Sequence, residues 1–303
     1  MSAPEKCAAQ GVHQSAAGPS QDARPLGGAA RSAVRGEHTS APPAPTVLAT
    51  SLANAGLDWI LPDWPVPGHV RAFATTRSGG VSTGPLATMN LGGSVRDDVA
   101  ALAENRRRLA SWLPAAPRWL HQVHGATVAT LDAASAASPG PIADAAVTRE
   151  RGIVCAVLTA DCLPVLFADR DGAAVGVAHA GWRGLAAGVL EATVAALGEL
   201  GATPQRLVAW LGPAIGPARF EVGADVHDRF CAEDVDATAH FTPLRPGKWH
   251  ADLPGLARAR LARAGVPRVY GGGLCTYNGA ARFYSHRRDR DTGRMATVVW
   301  LAG

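Results

Sequence analysis

Residues 157–184 read VLTADCLPVLFADRDGAAVGVAHAGWRG, with Cys162 at the end of one apolar run and His179 at the end of the next. Three segments here, GIVCAVLTA (152–160), PVLFAD (164–169) and AAVGVAHA (173–180), are short, rich in β-branched and small apolar residues, and separated by turn residues. That pattern predicts buried strands. Working outward, HVRAFATTRSGGVS (69–82) reads as a strand entering a glycine turn, and RLVAWLGPAIG (206–216) as a strand entering a Gly-Pro loop. RVYGGGLCT (268–276) and RMATVVWLA (294–302) close the chain as strands. Helical spacing appears in 97–113, which has acidic residues at its start, in 185–200, and in DLPGLARARLARAG from Asp252, with proline in the first turn. Strands and helices mix without a regular βαβ alternation. The fold class expected is therefore α/β of the α+β kind, a single domain of stacked mixed β-sheets with outer helices, and not a Rossmann sheet. No G-x-G-x-x-G follows a strand and no G-x-x-x-x-G-K occurs, so nucleotide-cofactor loops find no support.

Of the 303 residues 47% are hydrophobic and 18% charged, enough to bury a core over most of the chain. The exception is residues 1–50, an Ala/Pro/Ser-rich tail that lacks the large side chains needed to offset ordering entropy and is expected to be disordered; the catalytic domain is expected at 55–303. A net charge of +4, scattered along the chain, does not make a nucleic-acid surface. The five cysteines are odd in number and form no C-x-x-C pair, which fits a reducing cytoplasm. No run approaches the roughly 20 apolar residues of a membrane helix, and no hydrophobic segment opens the chain. Expected, then, is a cytoplasmic protein without nucleic-acid or membrane partners, a monomer or small homo-oligomer.

Cysteine at a strand end is commonly a small buried hydrophobe, and Cys155, in mid-strand, reads as one. Cys162 differs. Asp161 before it is costly to bury without a partner, and Pro164 after it interrupts the ladder. His179 precedes Gly181, Arg183 and Gly184, which suggest a tight strand-to-helix turn with backbone N–H groups able to receive an anion. His121 and His124, three apart in a strand-like stretch, face opposite sides, so one of them is expected to join a common site. Two histidines and one cysteine match the ligands of a catalytic zinc, leaving a net charge near +1 that still acidifies water or polarises a substrate oxygen. The rival chemistry makes Cys162 a nucleophile with His179 as its base.

QVHG (122–125), TADCLPVLFAD (159–169), VAHAGWRG (177–184), LGPAIGPARFEVG (211–223) and FYSHRRD (283–289) followed by TGRMA (292–296) occur in series, after TTRSGGVSTGP, MNLGGSVRDD and ENRRRLA nearer the start. In these motifs the chain resembles the YfiH/laccase-domain family over about Val70 to Leu301. Members of that family have been called polyphenol oxidases, purine nucleoside phosphorylases and peptidoglycan editing factors. The resemblance implies metal ligands at His124, Cys162 and His179, with zinc as the ion and copper(II) able to take the same site. It also implies a fold related to the cytotoxic necrotising factor toxins, which keeps the cysteine-nucleophile alternative standing. One departure is clear: where many members read N-L-G-x-H-V-G-D, this chain has Asn90, Leu91, Gly92, Gly93, Ser94, Val95, Arg96 and Asp97.

Ten histidines without a single H-x-H exclude a four-copper laccase centre. What the resemblance implies instead is phosphorolysis of adenosine, inosine and S-methyl-5′-thioadenosine, releasing base and ribose 1-phosphate, together with adenosine deamination. Asp161 and Glu221 are the candidate proton carriers. Arg77, Asn90, Arg183, Ser285 and Arg287 are candidates for binding substrate or phosphate, with Arg288 and His286 weaker ones. Purine nucleosides and phosphate are the expected partners. The alternatives are a peptidoglycan-precursor amidase using Cys162 and His179, a single-site copper polyphenol oxidase, and a non-catalytic protein with a structural metal. Structural zinc is normally closed by four ligands, which argues against the last.

Overall fold

The computed structural model describes residues 47–134 and 140–303. Residues 1–46 of the expected tail lie outside the described residues; residues 47–50 already belong to helix α1, Val47–Asn54. Leu52 on α1 is buried against the aromatic layer described below, so the ordered part starts earlier than composition suggests.

A six-stranded mixed sheet forms the middle of the domain. Its order is β11 (Arg268–Gly271), β7 (Leu207–Leu211), β5 (Leu163–Asp169), β6 (Val175–Ala180), β3 (Ala145–Thr148) and β2 (Val128–Thr130). β5 and β6 pair antiparallel with Leu163 opposite Ala180 and Pro164 opposite His179, while the outer pairs β11–β7 and β2–β3 are parallel. A three-stranded antiparallel sheet, β1 (Val70–Ala74), β12 (Met295–Leu301) and β4 (Cys155–Thr159), stacks on one of its faces. A smaller sheet joins β8 (Glu221–Gly223), β10 (Lys248–Ala251) and β9 (Phe241–Arg245).

Period-two alternation divides the strand residues between layers. On β5, Leu163, Val165 and Phe167 face α4 (Val189–Glu199) and α6 (Leu253–Arg263), while Leu166 and Ala168 face the three-stranded sheet. On β12, Val299 and Leu301 enter the space between sheets, whereas Val298 and Trp300 turn outward to α1, Trp59 and Leu109 of α2 (Val99–Ala110). The domain is thus helix, sheet, sheet, helix. Both faces of β5 and β6 are covered, and every residue of either strand is buried, which is why their sequences read as continuous apolar runs.

α2 is closed at its start by Asp98, whose carboxylate accepts from the Ala101 N–H at 2.8 Å, and carries Arg107 and Arg108 in its last turn. The helix expected over 185–200 is two pieces, α3 (Trp182–Ala186) and α4, because Gly188 sits at φ 88°, a left-handed conformation that ends one helix and starts the next. Strands β2, β3, β8, β9 and β10 and helix α5 (Ala224–Cys231) carry too weak a pattern to be read from sequence: most are three to five residues long.

Phe73 on β1 is fully buried, stacked on Trp59 at 4.9 Å and edge-on to Trp300 at 5.9 Å. Phe73→Ala is expected to destabilise the domain by about 3–5 kcal/mol, read as a lower urea midpoint with an unchanged slope. A loss under about 1 kcal/mol would mean that this outer layer does not contribute to the cooperative unit.

Candidate metal centre and its two cavities

Cys162 lies where the chain leaves β4, in one sheet, and enters β5, in the other. The crossing is made by Asp161 at φ 87°, a left-handed backbone that a non-glycine residue adopts only when its surroundings hold it there. They do. The Asp161 carboxylate accepts from Thr276 Oγ1 and from the Arg287 N–H, both at 2.6 Å, and its carbonyl accepts from the Ile215 N–H at 2.9 Å. The buried acid that sequence marks as needing a partner has two, and with the backbone bond to Ile215 they hold the turn that leads into Cys162. Pro164 sits one residue inside the start of β5, where its missing N–H removes only an end bond.

His179, on β6, faces the gap between the sheets, and its backbone and ring are both tied to Asp144. The His179 N–H donates to the Asp144 carbonyl at 2.7 Å, and Nδ1 lies 2.8 Å from Asp144 Oδ1. The same fully buried carboxylate accepts the N–H groups of Val123, His124 and Gly125 at 3.1, 2.9 and 2.7 Å. QVHG is accordingly a bend rather than a strand, with His124 at φ 60°, and its three successive amides wrap one carboxylate. Gln122 extends the bend by pairing its amide with both backbone groups of Leu158 on β4. Asp144 is the functional residue that sequence reasoning missed: it stands in PIADAAVT, an Ala-rich segment with no motif.

His124, Cys162 and His179 meet, each offering one ligand atom within 4.8 Å of the others. Cys162 Sγ is 3.9 Å from His124 Nε2, and the two imidazoles stand edge to face at 4.8 Å and 73°. With Nδ1 of His179 occupied by Asp144, Nε2 is the nitrogen left for the cluster. Zinc bonds of about 2.0–2.3 Å set tetrahedral edges of roughly 3.4–3.6 Å, so side-chain adjustments of an ångström or less bring the three atoms onto one ion. Thiolate plus imidazoles is a zinc or copper donor set, and a carboxylate on the far nitrogen of a ligand histidine is its usual support. Among the described residues no fourth His, Cys, Asp or Glu joins the group. His121 lines the adjoining cavity without entering the cluster.

Close approach explains the glycines of HAGWRG. A Cβ on Gly181 would lie 2.8 Å from Cys162 Sγ, and one on Gly184 2.8 Å from the Gly125 carbonyl. Burial opposes a charged Cys162, but the positive His179 and hydrogen bonds from His124 and His179 outweigh it and bring the thiol down to about 6. Burial opposes a charged His179 as well, yet the neighbouring Cys162 and Asp144 raise it to about 9. Asp144 resists burial in turn through His179 and the amides of Gly125 and Val123, which hold it below the usual carboxylate range. Cys155, lacking partners, is pushed up to about 12 by burial and stays a core residue.

The cluster forms the wall between two cavities. The larger, about 450 Å³, is lined by Trp119, Gln122, Leu158, His286, Arg106 and Arg294 among others. The smaller, about 260 Å³, is lined by Trp182, Ile215, Phe220 and Leu253 with Arg183 and Arg287, and His124, Ala160, Cys162 and His286 border both. Arg183 lies over the Trp182 ring at 4.5 Å; Arg287 lies over Phe220 at 5.3 Å and donates to the Glu221 carbonyl.

The remaining sequence-selected residues are engaged elsewhere. Glu221 is paired in two-pronged fashion with Arg245, at 2.7 and 3.1 Å, and lines neither cavity. Arg77 donates to the carbonyls of Ala87 and Ala280. The buried Asn90 bonds Gly92, Asp97 and the Arg294 N–H. Ser285 caps α7 (His286–Asp289) by accepting from the Arg288 N–H, and Arg288 donates to the carbonyls of Thr276, Tyr277 and Phe283.

Comparison with known proteins gives this geometry relatives. The profile of the family described as multi-copper polyphenol oxidoreductase laccase matches residues 71–302. A purine nucleoside phosphorylase of Pseudomonas aeruginosa is 53% identical over 244 residues, covering 80% of this chain and 98% of its own. The Escherichia coli purine nucleoside phosphorylase YfiH is 50% identical over 245 residues, with the same two coverages of 80% and 98%. Among solved structures, a Neisseria meningitidis protein superposes with a TM-score of 0.77 at 47% identity, covering 81% of this chain and 100% of that one. YlmD from Geobacillus stearothermophilus gives 0.76 at 35% identity, covering 81% and 96%. With the profile spanning both stacked sheets and all three cluster residues, the chain belongs to the YfiH-type family of laccase-like polyphenol oxidoreductase domains.

Proposed function

We propose that the protein is a purine nucleoside phosphorylase. It cleaves adenosine, inosine and S-methyl-5′-thioadenosine to the base and the ribose 1-phosphate, and it deaminates adenosine at the same zinc centre. The observation that carries this reading is the three-donor cluster standing between two cation-lined cavities, in a chain about half identical to proteins named as purine nucleoside phosphorylases.

The donor set fits a zinc held by His124, Cys162 and His179, and when bound that ion supplies Lewis-acid polarisation of a substrate oxygen or acidification of water. The chain does the rest. Asp144 keeps the His179 tautomer and ring fixed so that Nε2 faces the cluster. Trp182 and Phe220 offer aromatic faces to a purine, and Arg183 and Arg287 bring cations to the same small cavity. Asp161 borders that cavity and is the carboxylate to which we assign proton transfer in deamination. His286 borders both cavities and is assigned to the ribose side.

A second reading rests on one observation. Cys162, His179 and Asp144 also run in the order thiolate, imidazole, carboxylate, the arrangement of a cysteine amidase. The two readings separate on metal.

In phosphate buffer with adenosine, inosine or methylthioadenosine, Cys162→Ser is expected to lose base release by at least about 100-fold and to lose bound metal in parallel. Unchanged turnover in that variant removes the site, base release that survives chelation removes the metal from the step, and no base release with metal present moves the assignment to the amidase. Asp144→Asn replaces an acceptor by a donor beside three N–H groups. Its metal affinity should fall about 10–100-fold in chelator competition; an unaltered affinity would show that His124 and His179 hold their positions without it.

The depressed thiol gives a pH test. Above a pKa of about 6 Cys162 is already a thiolate, so alkylation of the metal-stripped protein at this residue should be nearly flat from pH 7 to 9. An ordinary thiol of pKa about 8.5 gains roughly 25-fold over that range. Zinc should suppress the labelling, and a steep rise with pH would contradict the assigned coupling to His179.

A further inference from the structure

The lining of the larger cavity contains two arginines and four histidines and no aspartate or glutamate. Neither arginine has an acidic partner among the described residues. Arg106, on α2, donates through Nε and Nη2 to one carbonyl, that of Leu91, at 3.2 and 3.0 Å, and lies over the Trp119 ring at 5.0 Å. Arg294 donates through Nη1 to the carbonyls of Thr292 and Gly293 at 2.8 and 3.0 Å. Among the described residues, Nη1 of Arg106 and both Nε and Nη2 of Arg294 have no hydrogen-bond acceptor. Two other partly or fully buried arginines are paired with acids: Arg260 with Glu191 and Glu233, and Arg288 with Asp289. Half-buried guanidiniums with no hydrogen-bonded carboxylate keep donors free for an anionic ligand. Burial lowers the pKa of both, in Arg294 against the pull of Cys162, Asp161 and Asp291.

Local packing supports the pair. A Cβ on Gly92 would fall 2.6 Å from Arg294 Cγ, and one on Gly93 would fall 3.2 Å from Arg106 Nη2, so the Gly-Gly step lets the loop run flush against both side chains. Asn90 clamps that loop by accepting the N–H groups of Gly92 and Arg294. Ser94 follows directly and lines the same cavity with a small hydroxyl.

We propose that Arg106 and Arg294 bind the attacking inorganic phosphate, with ribose beside it in the larger cavity and the purine across the cluster in the smaller one. This rests on the phosphorolytic reading and says where its co-substrate sits. Two guanidinium forks suit a tetrahedral oxyanion. Displacement at C1′ needs nucleophile and leaving group on opposite faces of the sugar, and we place the sugar at the residues both cavities share, His124, Ala160, Cys162 and His286, with phosphate on one side and base on the other. The C1′–O bond forms as the C1′–N9 bond breaks, its electron pair leaves on the base, and the proton given up by hydrogen phosphate ends on the base.

Arg106→Gln and Arg294→Gln in the full chain are expected to raise the KM for phosphate at least tenfold while changing the KM for inosine less than threefold. Calorimetric titration of inorganic phosphate into each protein, without nucleoside, should show the same loss of binding. Arg106→Lys, which keeps charge with one donor, should fall between, and it carries the test should Arg294→Gln fail to fold by thermal melting. Phosphate binding unchanged in these variants overturns the proposal, and so does binding that is lost instead on Arg183→Gln. Were the wild-type protein to turn over no nucleoside yet still lose phosphate binding with Arg106, the reaction assignment would fall and this anion site would stand.

Discussion

One buried carboxylate organises the site. Asp144 has no exposed surface and accepts from four groups: three consecutive amides of the QVHG bend and the ring of His179. A carboxylate buried without partners costs several kcal/mol, whereas one that meets a full set of donors is held ionised and rigid. The left-handed backbone of His124, a conformation that costs of order 1–3 kcal/mol for such a residue, is offset by the amides it turns toward that charge. Two imidazoles from distant stretches of chain are therefore oriented by the same oxygen atoms. The centre is preorganised by the protein itself, and an ion arriving there has little ordering left to impose.

The third donor of the cluster depends on a different constraint, the passage of the chain between stacked sheets. β4 belongs to one sheet and β5 to the other, with only three residues between them. Asp161 makes the step at φ 87°, held by Thr276, Arg287 and Ile215, which come from segments over fifty residues further on. Cys162 is thus placed by the layering, and Gly181 keeps the opposite strand end bare enough for the sulfur to sit against it. Fold and site share their weakest conformations, which is where such strain is expected to be found.

Sequence patterning was most legible where burial is complete. The continuous apolar runs of β4, β5 and β6 announce strands covered on both faces, and Asp98 and Pro254 mark helix starts that the structure keeps. Gly188 was the exception within a helical pattern: its left-handed turn leaves the apolar spacing on either side intact, so one helix and two look alike. Cys162 and His179 could be picked by their position at strand ends. Asp144 could not, since nothing near it in PIADAAVT signals the two distant partners that give it a role. Arginines beside glycine- or serine-rich turns looked like ligand groups, yet Arg77 and Arg288 are consumed by backbone carbonyls, while Arg106 and Arg294 were hidden in helix-like and strand-like runs. What decides an arginine's role is whether an acceptor lies within reach of its fork, and spacing along the chain does not encode that.

The family's oxidase name and the phosphorylase names of the relatives ask different things of a site. Multi-copper oxidation needs several ions close enough to share electrons, hence many histidines in paired motifs. Among the described residues one group of three donors has metal geometry, and a second cluster to accept electrons from it is not formed by them. A two-substrate displacement needs less metal and more space: room for a sugar between two ligands, positive charge for the one that attacks, and an apolar wall for the one that leaves. Acid-free cationic lining on one side of Cys162 and Trp182 with Phe220 on the other provide those features. Because His124 and Cys162 border both chambers, a ligand in either one lies against the cluster, where electrostatic interactions are screened less than in bulk water.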